Sequence, residues 1–480
     1  MKEKRILYAL IISFLFLFGY SAIISKFFPK LQTTTSSIVP DQKIEEQNQY
    51  KERMFTEEAI GKEKTVPLLN GDVGEFIATI SPTGGYITKL QLQKYQEDLL
   101  YENIGFIPED KDKQFEVDIR EDRIIFSGPD REVKEYIIQG YNITIKTATK
   151  TAGSMVLFSN TVIPNMIEQR YQQFFYSQNG ELIRTSLKKV KKSGSNNLDF
   201  IGARDRYFCA AVVNGVNEQI DWFNEEQKIY IIAAATPSEV NLYIGPQIKQ
   251  ELQPFGLEGV VHYGFFHGVG IVLMKLLYFF HCLTKSWGLS VILLAASVYC
   301  LLFPFTMKST KAMKRMQELQ PEIEALKQKY KDNPQKMNKE TMKMYKDYKI
   351  NPLGGCLPLV FQFPVFIALY QVLLRSIELK GESFLWIKDL SLPDRAFTLP
   401  FTVPFLGNYI NILPICIIII SLFQQKFTTS SSSSSDQKKM GLFFAVFIGV
   451  IFYKFPACLV LYWFVQNAAT LLYQMRLAKK

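Results

Sequence analysis

No charged residue interrupts the chain from Ser286 to Met307, from Ile350 to Leu374, from Ala396 to Gln425, or from Phe455 to Met475. Such runs constrain a fold more tightly than any motif. A helix needs about 17–25 apolar residues to cross the hydrocarbon layer. Backbone in lipid must also satisfy its own hydrogen bonds, which leaves helices or closed barrels. Two further windows join the four. Ile6–Ser25 follows the basic "MKEKR" and reads as an uncleaved anchor, because "GYSAIISKFF" offers no small-residue cleavage site. Met440–Tyr453 is short, so Lys454 must snorkel for it to span, and Pro456 then marks the turn into the last helix. The expectation is six transmembrane helices. Gly259–Lys285 is also apolar, but Lys275 inside it favours an amphipathic helix lying on the membrane surface.

Hydrophobic residues make up 48% of the chain, yet mean hydropathy is only +0.03, so a large soluble part dilutes the spans. A net charge of +10 suits nucleic acid, anionic lipid or cytoplasmic loops. Its distribution decides. With the N-terminus inside, Met1–Arg5, Lys308–Lys349, Lys426–Lys439 and Arg476–Lys480 place 21 Lys and Arg in the cytoplasm. The short outer loops hold few, among them Lys380, Lys388, Arg395 and Lys454. This bias predicts both termini inside and excludes a specific nucleic-acid target.

Residues 1–28 are thus the anchor and 29–70 a polar tether. Residues 71–258 carry alternating runs such as "EFIATI", "YITKLQLQ", "DRIIFS", "YNITIKTAT" and "KIYIIAAAT". Short strands with regular turn signals predict an extracytoplasmic antiparallel β-sandwich. The paired glycines of "ISPTGGYITKL" read as a turn, since no helix follows to make a phosphate loop. The interfacial helix occupies 259–285 and the second span 286–307. In 308–349, apolar residues at steps of three and four on either side of "KDNP" predict a cytoplasmic helical hairpin. Its basic face offers Lys311, Lys314, Arg315, Lys327, Lys336 and Lys343 for docking. The third span is 350–375, an outer loop 376–399, the fourth span 400–425, a serine-rich linker 426–439, the fifth span 440–455, the sixth 456–475 and a cytoplasmic tail 476–480.

Six scattered cysteines form no CxxC pair, and three histidines form no HExxH arrangement. Metal hydrolysis is excluded on that pattern, and no nucleophile–base pair stands out. The expectation is a protein with no cofactor that is not an enzyme.

Several segments carry a family likeness: "KINPLGGCLPLVFQFPVFIALYQVL" from Lys349, "SFLWIKDLS" from Ser383, "FPACLVLYWFVQN" from Phe455, and "LFPFTMKST" leading into "MQELQPEIEALKQKYKD". "TGGYITKLQL", "RDRYFCAAVV" and "LYIGPQIK" add to it in the soluble part. The chain resembles the YidC-type membrane protein insertases, in the form with a large periplasmic domain. The resemblance implies a bacterial inner-membrane protein whose last five spans form a core around a polar groove open to lipid. It implies nascent membrane proteins as clients, and the Sec translocon, the ribosome (through the basic hairpin) and membrane lipids as partners. Members usually place an arginine five residues before the proline of "FPFT". Here that position is Tyr299, so attraction of acidic client tails by a buried cation does not carry over.

Polar side chains inside spans then become the groove candidates. Gln362 sits mid-span, where it either lines a wet groove or bridges helices. Tyr462, Gln466 and Tyr473 fall within about 40° of one another around the last helix. Tyr299 joins them by analogy of position. Pro358 and Pro364 weaken the third span, which suits a helix bordering water. The competing reading is a small-solute transporter or channel with an accessory periplasmic binding domain. Against it stands the lack of paired carboxylates and of an internal repeat.

Overall fold

The computed structural model describes residues 68–480, apart from 149–152, 164–165, 214–218, 226, 332, 349, 351–356, 404–406, 429–434 and 479–480. The expected first span and nearly all of the tether lie outside the described residues. The chain divides into two compact units between Leu257 and Glu258.

The first unit is built from two antiparallel sheets. Alternation does the folding work: in Phe76–Ser81, Phe76, Ala78 and Ile80 are fully buried while Ile77 and Thr79 are partly exposed. Eight strands run in the spatial order 69–73, 76–81, 86–92, 97–104, 155–161, 228–233, 220–225, 193–195. Nine make the other sheet, in the order 181–186, 173–178, 200–204, 208–213, 239–246, 142–148, 133–139, 123–127, 116–119. The inner faces meet through Tyr101 of one sheet, which donates to the Ala203 carbonyl of the other (3.4 Å), and through Phe174 against Trp222. The glycine pair does form the turn between the second and third strands, with Gly84 and Gly85 at φ +85° and +63°. Within the sandwich Lys134 is wholly buried. It pairs with the equally buried Asp110 at 2.9 Å and donates to the Gly84 carbonyl at 2.9 Å.

The second unit is helical. Its helices are α1 (His267–Thr284), α2 (Trp287–Glu318), α3 (Gln320–Lys329), α4 (Pro334–Asp347), α5 (Leu357–Arg375), α6 (Ile412–Thr428), α7 (Ser435–Phe452) and α8 (Ala457–Ala478). By length and composition α1 and α2 could each cross a membrane, and the apolar parts of α5, α6 and α7 are shorter. Leu273 and Leu277 of α1, Val291 and Leu294 of α2, Leu369 and Val372 of α5, Ile417 of α6 and Leu459 of α8 share one buried core. A second, small core joins Leu319, Ile323 and Ile350 with Met344 and Tyr345, closing the α3–α4 pair.

Three boundaries differ from the sequence reading. First, α2 is one helix of 32 residues, so nothing ends at Met307; the break comes at Leu319, where Pro321 in the first turn of α3 cannot continue the ladder. Second, residues 397–410 do not open the fourth helix. Phe397–Val403 and Gly407–Ile410 are instead paired antiparallel strands, with Phe397 opposite Ile410, and α6 starts at Ile412. Pro400 with the β-branched and aromatic residues of "FTLPFTV" disfavours helix there. Third, α7 begins at Ser435, five residues before the expected start of the fifth span at Met440.

The connecting loop is fastened by hydrogen bonds. Asp394 accepts from the Leu413 amide (2.7 Å) at the start of α6, and Asn411 donates to the Tyr453 carbonyl (2.6 Å). The Leu390 and Leu392 carbonyls receive the Cys458 and Ala457 amides, satisfying donors that the first turn of α8 leaves free. Phe384 of this loop packs on α2 so closely that a Cβ on Gly288 would come within 2.1 Å of its ring.

Candidate functional site

Helices α2, α5 and α8 enclose a cleft of about 270 Å³. Each contributes residues at helical spacing. From α8 come Trp463, Gln466, Asn467, Thr470 and Gln474; from α2 come Tyr299, Leu302, Phe305, Thr306, Ser309, Thr310 and Met313; from α5 comes Gln362. Steps of three and four keep each set on one face of its helix. Among the described residues, no charged side chain lines the cleft.

The polar groups are held by specific bonds. Gln362 Nε2 donates to the Tyr462 hydroxyl at 2.9 Å, tying α5 to α8. Gln466 Nε2 donates to the Ala295 carbonyl at 2.9 Å, and the Tyr299 hydroxyl donates to the Ala469 carbonyl at 3.2 Å, tying α8 to α2. Thr306, Thr310 and Thr470 donate back to the carbonyls of Leu302, Thr306 and Gln466. Asn467 Nδ2 donates to the Trp463 carbonyl. Gln474 is 9% exposed, and its buried Oε1 has no hydrogen-bond partner.

Of the five groove candidates, Tyr299, Gln362 and Gln466 border the cleft. Tyr462 does not: it is fully buried and supports Gln362 from behind. Tyr473 turns edge-on to Phe303, with ring centroids 5.1 Å apart. Both belong to the right stripe of α8 by angle, but neighbouring helices cover one and redirect the other. Six polar lining residues escaped the sequence reading: Thr306, Ser309, Thr310, Asn467, Thr470 and Gln474. The signal was in plain view, since Asn467, Thr470 and Gln474 recur at steps of three and four beside Gln466. Gln424, at the end of α6, bridges to the Asn467 carbonyl at 2.9 Å.

On the basic face, Lys311, Lys314, Arg315, Lys336 and Lys343 are exposed. Lys314 reaches the Leu477 carbonyl at 3.4 Å, and Lys336 stacks over Tyr330 at 5.1 Å. Lys327 lies on α3. The cleft end of α2 and the basic stretch are therefore parts of one helix.

The sequence profile of the 60Kd inner membrane protein family matches residues 279–480, which include every residue lining the cleft. Relatives named membrane protein insertase YidC include one from Coxiella burnetii, 32% identical over 60% of this chain and 52% of its own length. The relative from Cupriavidus necator is 31% identical over 72% and 66%, and that from Geobacter sulfurreducens 27% identical over 98% and 97%. The chain belongs to the YidC family. It spans about half the length of the Coxiella relative in that match. The crystal structure of YidC from Thermotoga maritima is 13% identical, with coverage of 85% of this chain and 99% of that one and a TM-score of 0.37. As a YidC-family member the chain combines an antiparallel β-sandwich with a helical unit, and its family is one of inner membrane proteins.

Proposed function

We propose that this chain is a membrane protein insertase, which accepts hydrophobic segments of newly made membrane proteins and passes a short polar tail across the bilayer. The observation that carries the reading is the uncharged polar cleft between α2, α5 and α8. A charge at the bilayer centre costs about 2.5–3.5 kcal/mol on insertion scales. A wet, hydrogen-bonding cleft partway through the membrane lowers that barrier for a polar tail, while the apolar segment moves into lipid.

In this reading the first span precedes the β-sandwich, and α2, α5, α6, α7 and α8 make the five-helix core. The sandwich lies in the periplasm, and both termini and the α3–α4 hairpin lie in the cytoplasm. Support comes from the distribution of Lys and Arg. The exposed lysines of α2, α3 and α4 offer a docking face to the ribosome or anionic lipid, and the Sec translocon is a further partner. The helix α1 lies at the interface; its exposed Val272, Phe279 and Leu283 suit contact with lipid. α8 carries a polar stripe because one of its faces borders the cleft.

The test is depletion of the protein in cells, followed by membrane integration of small one- and two-span proteins. Photo-crosslinkers at Tyr299, Gln362 and Gln466 should capture nascent chains. Unchanged integration together with no crosslink from any of the three positions would falsify the reading.

A further inference from the structure

The antiparallel strands Phe397–Val403 and Gly407–Ile410 have no core of their own. None of their residues is buried, and Phe397 and Phe401 are each 61% exposed. A lone pair of strands is marginal at best in water, and gains stability only when something covers its apolar side chains. Water is a poor neighbour for this pair, since no charged residue occurs between positions 396 and 425. Its base is nonetheless held in place. The Arg395 amide donates to Asn411 Oδ1 (2.9 Å), and the Tyr453 hydroxyl, just past the end of α7, donates to the Tyr409 carbonyl (2.7 Å). The strands therefore stand at a fixed height beside the start of α6.

That height is a membrane boundary if α6 spans. Helix α6 has 17 residues, a length of about 26 Å against a hydrocarbon layer of about 30 Å. Its exposed Ile415, Ile419 and Phe423 recur every four residues and make one apolar stripe, which begins just below the strands. At the junction the Arg395 guanidinium lies 4.9 Å from the centre of the Tyr409 ring, a cation and an aromatic of the kind that mark headgroup level. Open strand edges exclude deeper burial, because their unpaired backbone groups need water. We infer that the strand pair lies in the headgroup boundary where α6 begins, with Phe397 and Phe401 set into the lipid, so that the partner of this surface is the bilayer itself. The strands then supply apolar height that a 17-residue helix lacks. This rests on the reading of α6 as a span and adds a contact with lipid that is not helical.

The unmodified full chain, reconstituted in phosphatidylethanolamine–phosphatidylglycerol vesicles, provides the test. One preparation carries a lipid with a photoreactive group beside the headgroup, and another a lipid with that group at the end of an acyl chain. Mass spectrometry of peptides then locates the adducts. The headgroup-proximal label should modify Phe397–Val403 several-fold more than the sandwich edge strand Glu181–Ser186, which serves as background. The acyl-terminal label should modify residues 415–423 of α6 and spare the strands. Strand adducts at background level with both labels overturn the inference, whether water or a second copy of the chain faces Phe397 and Phe401. So do strand adducts with the acyl-terminal label that equal those on α6, since the strands would then lie in the hydrocarbon. If α6 itself takes no acyl-terminal label, the spanning reading fails, a result distinct from a labelled α6 beside unlabelled strands.

Discussion

The β-sandwich and the helical unit bury polarity in opposite ways. The sandwich encloses charge and pairs it: Lys134 meets Asp110 at 2.9 Å, and Arg204, 4% exposed, donates to Gln173 and Gln247. The helices surround their cleft with neutral side chains, most of them tied to backbone carbonyls and one, Gln474, left unpaired at Oε1. A fully enclosed charge is tolerated when its partners are fixed. A surface meant to hold a changing guest cannot supply a fixed counter-charge, so neutral groups with spare lone pairs suit it better.

The largest effect should come from breaking the enclosed pair. Lys134→Met leaves Asp110 to rely on the partly exposed Lys113 at 2.8 Å. We expect a loss of about 3 kcal/mol in sandwich stability, read by hydrogen exchange of the Val133–Gln139 strand. Exchange no faster than in the unmodified chain would show that the pair contributes little.

The same domain should respond to pH in two directions. Burial pushes the Asp205 carboxyl up to about 6, although it accepts from the Tyr207 and Phe208 amides. A raised carboxylate pKa favours the protonated folded state. The stabilisation is therefore complete below the ordinary value of 3.8 and is lost as pH rises through about 6. Its size is at most about 3 kcal/mol, since a tenfold change in acidity is worth about 1.4 kcal/mol. Burial also pushes the Asp110 carboxyl up, but Lys113 and Lys134 outweigh it and hold the group below its ordinary value. Its stabilisation is thus present above the ordinary carboxylate range and is lost as pH falls. Asp205→Asn should remove the loss between pH 4 and 6 and spare the acid limb. If the mid-range loss persists in that variant, Asp205 is not its source.

Among the helices the effects should be smaller. Gln362→Leu and Tyr462→Phe, alone and combined, measure the α5–α8 hydrogen bond. Coupling of about 1 kcal/mol or less is expected, as for other hydrogen bonds between membrane helices. A coupling of several kcal/mol would mean that the cleft wall is braced as strongly as the sandwich core, erasing the contrast. Smallest in stability, but informative for function, is Tyr299→Arg. It places a cation at the cleft and should widen tolerance for acidic tails without a large change in folding.

Sequence periodicity revealed much of the sandwich, because strands with one buried face alternate. The runs at 76–81, 86–92, 123–127 and 142–148 were legible for that reason, whereas 228–233, buried from Ile229 onward, stood out by its isoleucines and tyrosine. Phe200–Arg204 and Phe208–Val213 were not, since every residue in them is buried and no alternation survives. In the helical unit, charge-free windows located the helices well but not their ends. Pro321 stops α2, and the paired strands Phe397–Val403 and Gly407–Ile410 take much of the window that seemed a full span.

By itself, the sequence determined which segments are apolar, where the positive charge lies, and that one apolar segment contains Gln362 and two prolines. These are local properties, fixed by composition and spacing. Only the tertiary structure decided that Gln362 leans on Tyr462, that Tyr473 turns away, and that Thr306, Thr470 and Gln474 complete the cleft. Helical periodicity assigns a residue to a face. What that face meets depends on neighbours a hundred or more residues away in the chain, and their packing is set by the shapes of all the helices together.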